Sequence, residues 1–337
     1  MGFNGERRNV VAYYFMSRIL VSGSVAYDRI MDFDGMFSEH LVPDKLHSIN
    51  LSFQIERLSV GFGGTAGNIA YNLALLGVQS DIIATVGEDF SRYRAHMLLS
   101  GVVPNSIRVL EGEMTSSAYV FTDRTDSQIA AFHMGAGGHS YDSAVETDGH
   151  DLAIVAPGCI EDMKSLPDLY RKRGFPFLYD PGQAITALSS EDLRLGMAGA
   201  KALFGTDYEF GLIAQKTGWT ENAMLERVPV LIITLGAEGS RIITREGETR
   251  VKAAIVEDSS DPTGAGDAYR AGFIRGMLAE MSFENCAKLA STVAVYTVEK
   301  YGTQTHTFTL KELAERYKES YGEKLAIKQA ARPILEA

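Results

Sequence analysis

Short, unbroken apolar runs recur along the chain at residues 19–21, 82–86, 152–156, 177–179, 202–204 and 230–233. They tend to end in Gly, Asp or Pro and are followed by longer helical patterns. Continuous rather than alternating apolar character predicts strands buried on both faces, hence a parallel sheet with helices on each side and an α/β fold class. Two stretches break the rhythm, 29–60 and 115–131, the second carrying SSAYVFTD at 116–123. Their partial alternation predicts half-buried antiparallel strands. Because both fall between strand–helix units, they are expected to form a small sheet over one end of the large domain, placed to act as a lid. Thr309 and Glu312 form a capping box that opens a C-terminal amphipathic helix.

Composition narrows the picture. Of 337 residues, 45% are hydrophobic and 22% charged, which predicts a sizeable core and excludes global disorder or a coiled coil. A net charge of -11 argues against a nucleic-acid partner. It leaves a phosphate ligand open, since backbone N–H groups and helix N-termini can hold one. Cys159 and Cys286 are too few and too far apart for a disulfide framework or a thiolate zinc site, so a cytoplasmic location is expected. No apolar run reaches the roughly 18–20 residues that span a bilayer, so no membrane partner is expected. Met16 is read as a start, with 1–15 a disordered tail, 16–330 one domain with lid segments 29–60 and 115–133, and 331–337 a C-terminal tail.

The densest chemistry lies in DPTGAGDAYRAGF at 261–273. Gly264, Ala265 and Gly266 make a small-residue turn into a helix, where free backbone N–H groups and the helix dipole favour an anion. Asp267 then stands beside that turn. A carboxylate there is also consistent with a plain dipole interaction.

A second string, GFGGTAGNIAYNLALLG at 61–77, satisfies the GxGxxG/A dinucleotide pattern and supplies a rival reading as a dehydrogenase. That fingerprint belongs directly after the first strand of a βαβ unit, with an acid closing the next strand. Here residues 19–21 lie far upstream, and Asp81 is expected to precede its strand. No G-x-x-x-x-G-K-[ST] string occurs. The 7 His residues show no metal-ligand spacing and no hydrolase order.

Taken together, five ordered strings over about 17–320 resemble the ribokinase-like (PfkB) family of carbohydrate and nucleoside kinases. They are SGSVAYD at 22–28, GGTAGN at 63–68, TDYE at 206–209, TLGAEG at 234–239 and the 261–273 string. The resemblance implies ATP as co-substrate with Mg2+, Gly264, Ala265 and Gly266 as the anion hole, and Asp267 as the base. It further implies that Asp28, Gly63, Gly64 and Asn68 meet the substrate sugar, and that Thr234, Gly236, Gly239, Thr206 and Thr263 meet ATP. Glu209 would act on Mg2+ through water. The family's Asn-x-x-Glu begins here with Thr206, which leaves that position in question, and Asp207 is a candidate to offset it.

The strings at 26–31, 41–50 and 128–133 resemble bacterial adenosine kinases. Adenosine phosphorylated on its 5'-hydroxyl is therefore the expected reaction, with a ribokinase-like or fructokinase-like sugar kinase as the alternative. A non-catalytic sensor on the same scaffold is disfavoured by the intact Asp267. Gln128 and Phe132 are expected to meet the base, with Phe53 and Phe121 as further stacking candidates. A homodimer through the lid is a further expectation.

Overall fold

The structure is a computed structural model and describes residues 17–41, 51–125 and 127–327. The two expected tails, Met16 and most of the 41–50 string lie outside the described residues.

The chain starts with β1 (Arg18–Ser22), then enters β2 (Ala26–Asp32), a helical turn α1 (Phe37–His40) and β3 (Arg57–Gly63). Helix α2 (Thr65–Leu75) leads to β4 (Gln79–Ile83), β5 (Thr85–Gly87), α3 (Ser91–Leu99), β6 (Arg108–Leu110), β7 (Ser116–Thr122) and β8 (Gln128–His133). Strand–helix alternation follows: β9 (Leu152–Val155), α4 (Ile160–Lys172), β10 (Phe177–Tyr179), α5 (Ser190–Met197), β11 (Leu203–Thr206), α6 (Asp207–Thr217), α7 (Glu221–Leu225) and β12 (Leu231–Thr234). A hairpin of β13 (Ser240–Thr244) and β14 (Gly247–Val251) precedes three helices, α8 (Ala265–Leu278), α9 (Phe283–Val298) and α10 (Leu310–Tyr321).

The main sheet has eight strands in the order β14-β13-β12-β11-β10-β9-β1-β4. From β4 to β12 every pairing is parallel, and the β13–β14 hairpin adds an antiparallel edge. Burial on both faces is visible residue by residue. Ile19, Val21, Ile82, Ile154, Leu178, Phe204 and Ile232 point to one core, shared with α2, α8 and α9. Leu20, Ile83, Val155, Tyr179, Leu203, Leu231 and Ile233 point to the other, shared with α4, α5 and α6. Each such side chain contributes about 1.5–3 kcal/mol by leaving water, which is why these runs carry no polar alternation. The small positions of the last motif also have a packing role. A Cβ at Gly272 would come within 2.6 Å of the Ala290 Cα, so α8 and α9 meet backbone to backbone.

The second sheet has the order β3-β2-β7-β8, with β2 and β7 parallel and both edges antiparallel. Two sequence expectations need correction. The apolar run at 82–86 is two strands, because the chain leaves the main sheet after Ile83 and Thr85 pairs with Arg108 in a separate two-stranded sheet. Asp81 lies inside β4 rather than before it, buried against Arg18 (2.6 Å) and His150 (2.6 Å), as a structural carboxylate. The capping box of α10 forms as read, with Thr309 Oγ1 accepting from the Glu312 N–H and Glu312 accepting from the Thr309 N–H.

Candidate active site

The C-terminal ends of parallel strands are where open α/β sheets bind ligands. Here Pro157, Asp180, Thr206 and Thr234 follow or close β9, β10, β11 and β12, and all line one cleft of about 370 Å³. The smaller sheet contributes Ala26, Asp28 and Phe132 to its rim, and the two glycine turns contribute Gly64, Asn68, Thr263, Gly264, Gly266 and Asp267.

Gly264 caps α8 with φ 81°, a left-handed turn that lets the chain enter the helix sharply. The first N–H groups of a helix have no intrahelical acceptor, so those of Gly266 and Asp267 are free to face an anion. Asp267 is almost enclosed. Burial raises its pKa, while Arg270 and a hydrogen bond from Asn68 pull it back. Asn68 Nδ2 donates to Asp267 Oδ2 at 2.9 Å, and Gln304 Nε2 in turn donates to Asn68 Oδ1 at 2.9 Å. Both amides are thereby fixed in orientation. Gln304 also donates to the Tyr93 hydroxyl (2.6 Å), which donates to the Gly63 carbonyl (2.8 Å).

Asp28 sits on β2, paired with Gly61 and Ala118, and not in a loop after β1. Burial and the nearby Asp261 push its pKa up to about 6. Gly63 does not line the cleft. It is small because a Cβ there would strike Asp28 Oδ2. Gly64 has φ 86°, and a Cβ would meet the Ser24 carbonyl at 2.6 Å, so the turn folds tightly onto the end of β1.

Thr206 caps α6: its Oγ1 accepts from the Glu209 N–H at 3.2 Å while Glu209 Oε2 accepts from the Thr206 N–H at 2.7 Å. A capping role is open to Asn, Ser, Thr and Asp alike, which accounts for Thr at this position. Asp207 is exposed and outside the cleft. No group of three His, Cys, Asp or Glu among the described residues could hold a metal. A single carboxylate, Glu209, fits a Mg2+ ion that arrives on phosphates with its waters, since that ion needs few protein ligands.

Several expected residues are not brought to the cleft. Gln128 begins β8, four residues from Phe132, or about 13 Å along the strand at 3.3 Å per residue. Its side chain turns to Thr122 Oγ1 instead. Gly236 and Gly239 form the turn between β12 and β13: Gly236 takes φ 58° there with open space around it, while a Cβ on Gly239 would strike the Val251 carbonyl. Ala265 does not line the cleft, and its N–H donates to the Pro262 carbonyl at 3.2 Å. Phe53 packs with Phe33 and Phe37 at the far side of the smaller sheet, and Phe121 is also outside the cleft.

The residues that sequence reading missed are Asp180, Gln183, Arg270, Thr303 and Gln304. Signals existed for two of them. Arg270 lies three residues after Asp267, on the same helical face, and Asp180 closes a buried parallel strand.

The model of the pfkB family of carbohydrate kinases matches residues 16–309. The chain belongs to that family. It is therefore a kinase that transfers phosphate from ATP to a hydroxyl group. The kinase is 32% identical over 310 residues to a nucleoside kinase of Methanothermobacter thermautotrophicus, covering 90% of this chain and 96% of that one. Among solved structures it resembles a Burkholderia thailandensis nucleoside kinase in complex with inosine, with TM-score 0.78, 35% identity, and 91% and 99% of the two chains covered. A Methanocaldococcus jannaschii nucleoside kinase matches with TM-score 0.82 at 29% identity, covering 90% and 99%. Each of these likenesses covers about nine-tenths of this chain, and none is to a dehydrogenase. The GxGxxG-like string begins inside β3, an antiparallel strand of the smaller sheet that holds Gly61 and Gly63, and does not follow a strand of the parallel one. No helix among the described residues is long and apolar enough to cross a membrane.

Proposed function

We propose that the kinase phosphorylates the 5'-hydroxyl of a nucleoside, with adenosine as the first candidate. The observation that carries this reading is the convergence of Asp28, Asn68 and Asp267 in one cleft that Phe132 also lines, in a chain whose likeness to nucleoside kinases covers nine-tenths of its length. Asp28, ionised above its pKa of about 6, is an acceptor for the two hydroxyls of a ribose diol. Asn68 steers both the sugar and Asp267. Phe132, 54% exposed, offers a free ring to a nucleobase at the cleft mouth.

In the reaction, Asp267 takes the proton of the substrate hydroxyl as its oxygen bonds to the γ-phosphorus. The bond from that phosphorus to the bridging oxygen of ADP breaks, and the N–H groups of Gly266 and Asp267 face the charge on the transferred group. Thr206, Thr234 and Thr263 line the side of the cleft assigned to ATP. Mg2+ bound with the phosphates would neutralise part of their charge, and Glu209 would hold it through water. The exposed β8 edge, with Ile129 and Phe132 uncovered, supports a homodimer through the smaller sheet; sedimentation of the wild type reads this directly, and a monomer at micromolar concentration rules it out.

The test is a Mg-ATP panel of adenosine, inosine, guanosine, cytidine, ribose and fructose. The highest kcat/KM is expected for adenosine, followed by the other purine nucleosides. A sugar well above every nucleoside defeats the nucleoside reading and leaves phosphoryl transfer intact.

A further inference from the structure

Four carboxylates line the cleft, Asp28, Asp180, Glu209 and Asp267, in a chain whose net charge is -11. Into this acidic site must come the triphosphate of ATP. Arg270 is the one cationic side chain lining the cleft among the described residues. Its placement is specific. Asp180, with its side chain fully buried, forms an ion pair through Oδ2 with the Arg270 Nε edge. Neither Asp180 oxygen has a hydrogen-bond partner among the described residues, and Arg270 is the one cation paired with this carboxylate there. Nη1 then lies 3.8 Å from Asp267 Oδ1 and so close to the anion turn that a Cβ on Gly266 would be 2.6 Å from it. Burial works against the Arg270 charge, but Asp180 and Asp267 outweigh it and keep the guanidinium protonated.

We infer that Arg270, held at its Nε edge by Asp180, is a catalytic residue whose Nη1 edge contacts the transferred phosphoryl group. A guanidinium carries five N–H donors in a fixed fork. One side engaged by a buried carboxylate leaves the other oriented at no further entropic cost, and a fork of this kind matches phosphate oxygens. Since phosphoryl transfer is catalysed mainly by positioning and by charge placed where charge gathers, a preset cation beside the anion turn acts on the transition state more than on bound substrate. The Gly266 position is occupied by glycine for the same reason: the guanidinium fills the space a methyl group would need. The role rests on the phosphoryl-transfer reading and holds for any hydroxyl acceptor.

The experiment compares the full-length wild type with R270K, R270Q and the double variant R270Q/D180N, which removes both charges of the pair together. Steady-state rates are measured with Mg-ATP and the wild type's best acceptor from pH 6 to 9, and binding of ADP is measured with and without aluminium fluoride. Expected is a kcat loss of about 10²–10³ in R270Q/D180N at every pH, with acceptor KM within about threefold of wild type. The extra affinity that aluminium fluoride gives ADP in the wild type should be lost with it. R270K keeps a cation for Asp180 and so retains the fold; it should still lose at least about tenfold in kcat, because one ammonium cannot pair with Asp180 and reach the phosphoryl group at once. Wild-type kcat in R270K or in a folded R270Q/D180N overturns the inference. So does a loss that disappears at pH 9, which would make Arg270 a group that acts through the ionisation of Asp267. A wild type that phosphorylates nothing in the panel defeats the functional reading itself, whereas an active wild type with undiminished variants defeats only this role.

Discussion

Asn68 and Asp267, 199 residues apart in sequence, meet through a 2.9 Å hydrogen bond from the Asn68 amide to a carboxylate oxygen that has little other access to solvent. The bond joins the first turns of α2 and α8, so the two glycine motifs deliver one acid–amide pair to the cleft. If Asp267 is the base, Asp267→Asn keeps ATP and nucleoside binding while kcat falls by about 10²–10⁴. Calorimetric binding beside steady-state kinetics checks this, and near wild-type turnover removes the assignment.

Gly266 is the second test of the same turn. In Gly266→Ala the new methyl would stand 2.6 Å from Arg270 Nη1, and the guanidinium cannot simply swing aside because Asp180 holds it. The variant should fold, since Gly266 lies in the first turn of α8 at the cleft, and should lose about 10- to 100-fold in kcat with little change in acceptor KM. An effect confined to KM speaks against the turn acting on the transition state.

What the sequence made legible follows from where information is local. The parallel sheet could be read because burial on both faces writes itself as unbroken apolar runs. The break at Ala84 could not, since Ala84 and Val86 remain buried on either side of the change of sheet. Asp267 and the glycine turns were readable from one contiguous string. The Asp180–Arg270 pair was not, because neither residue marks its partner. Nor was Gln304, whose contacts with Asn68, Tyr93 and His96 (3.0 Å) exist only in the folded chain. Gln128 was misplaced because likeness to a string carries composition without register: the string forms β8, and the strand's length puts its two ends in different surroundings.

Asp28 should make nucleoside affinity depend on pH. Its carboxyl ionises near pH 6 in the free enzyme, and only the anion accepts from both diol hydroxyls. Nucleoside Kd measured by calorimetry without ATP should rise about tenfold per pH unit below 6. Asp28→Asn should weaken binding by about 10- to 100-fold at pH 8, consistent with losing hydrogen bonds to a charged group, and flatten the profile. The sign for stability is opposite. A carboxyl whose folded pKa is raised favours the fold below its unfolded pKa and loses that advantage as pH rises through about 6. Asp28→Asn should therefore stabilise the ligand-free protein at pH 7 relative to wild type, with the gain shrinking as pH falls below 6 and gone only below the unfolded pKa of 3.8. A destabilised variant at pH 7 contradicts the buried-charge account.

His306 supplies a stability test far from substrate. Buried between α2 and α9, it makes contacts from Nε2 with Asn72 Oδ1 (2.9 Å) and Thr297 Oγ1 (3.3 Å). Burial pushes its pKa down to about 4. A depressed folded pKa means the unfolded chain binds the proton first, so the contribution of His306 is complete above about pH 6.5 and is lost progressively as pH falls toward 4. Thermal unfolding of His306→Gln should show a lower Tm than wild type at pH 7.5 and a smaller difference at pH 4.5. A constant difference across that range means that the neutral ring is not what the site requires.

The smaller sheet should gain order when nucleoside binds. Its β8 strand is exposed at every position and, among the described residues, pairs only with β7, so its local opening is governed by few buried contacts. Phe132 at its end lines the cleft, and a nucleobase stacked there would tie β8 to the body through the ligand. Asp28 on β2, gripping the diol, would tie the neighbouring strand through the same molecule. Closure matters chemically because water left beside the γ-phosphate would hydrolyse ATP. Amide hydrogen exchange over 29–41, 51–60 and 115–133 should slow on adding nucleoside, while β9, β10 and β12 in the main sheet stay unchanged. Phe132→Ala should lose the added protection in β8 and keep most of it in β2, because the diol contact survives. Equal exchange with and without nucleoside would show that the sheet is a fixed wall and that water must be excluded by the substrate alone.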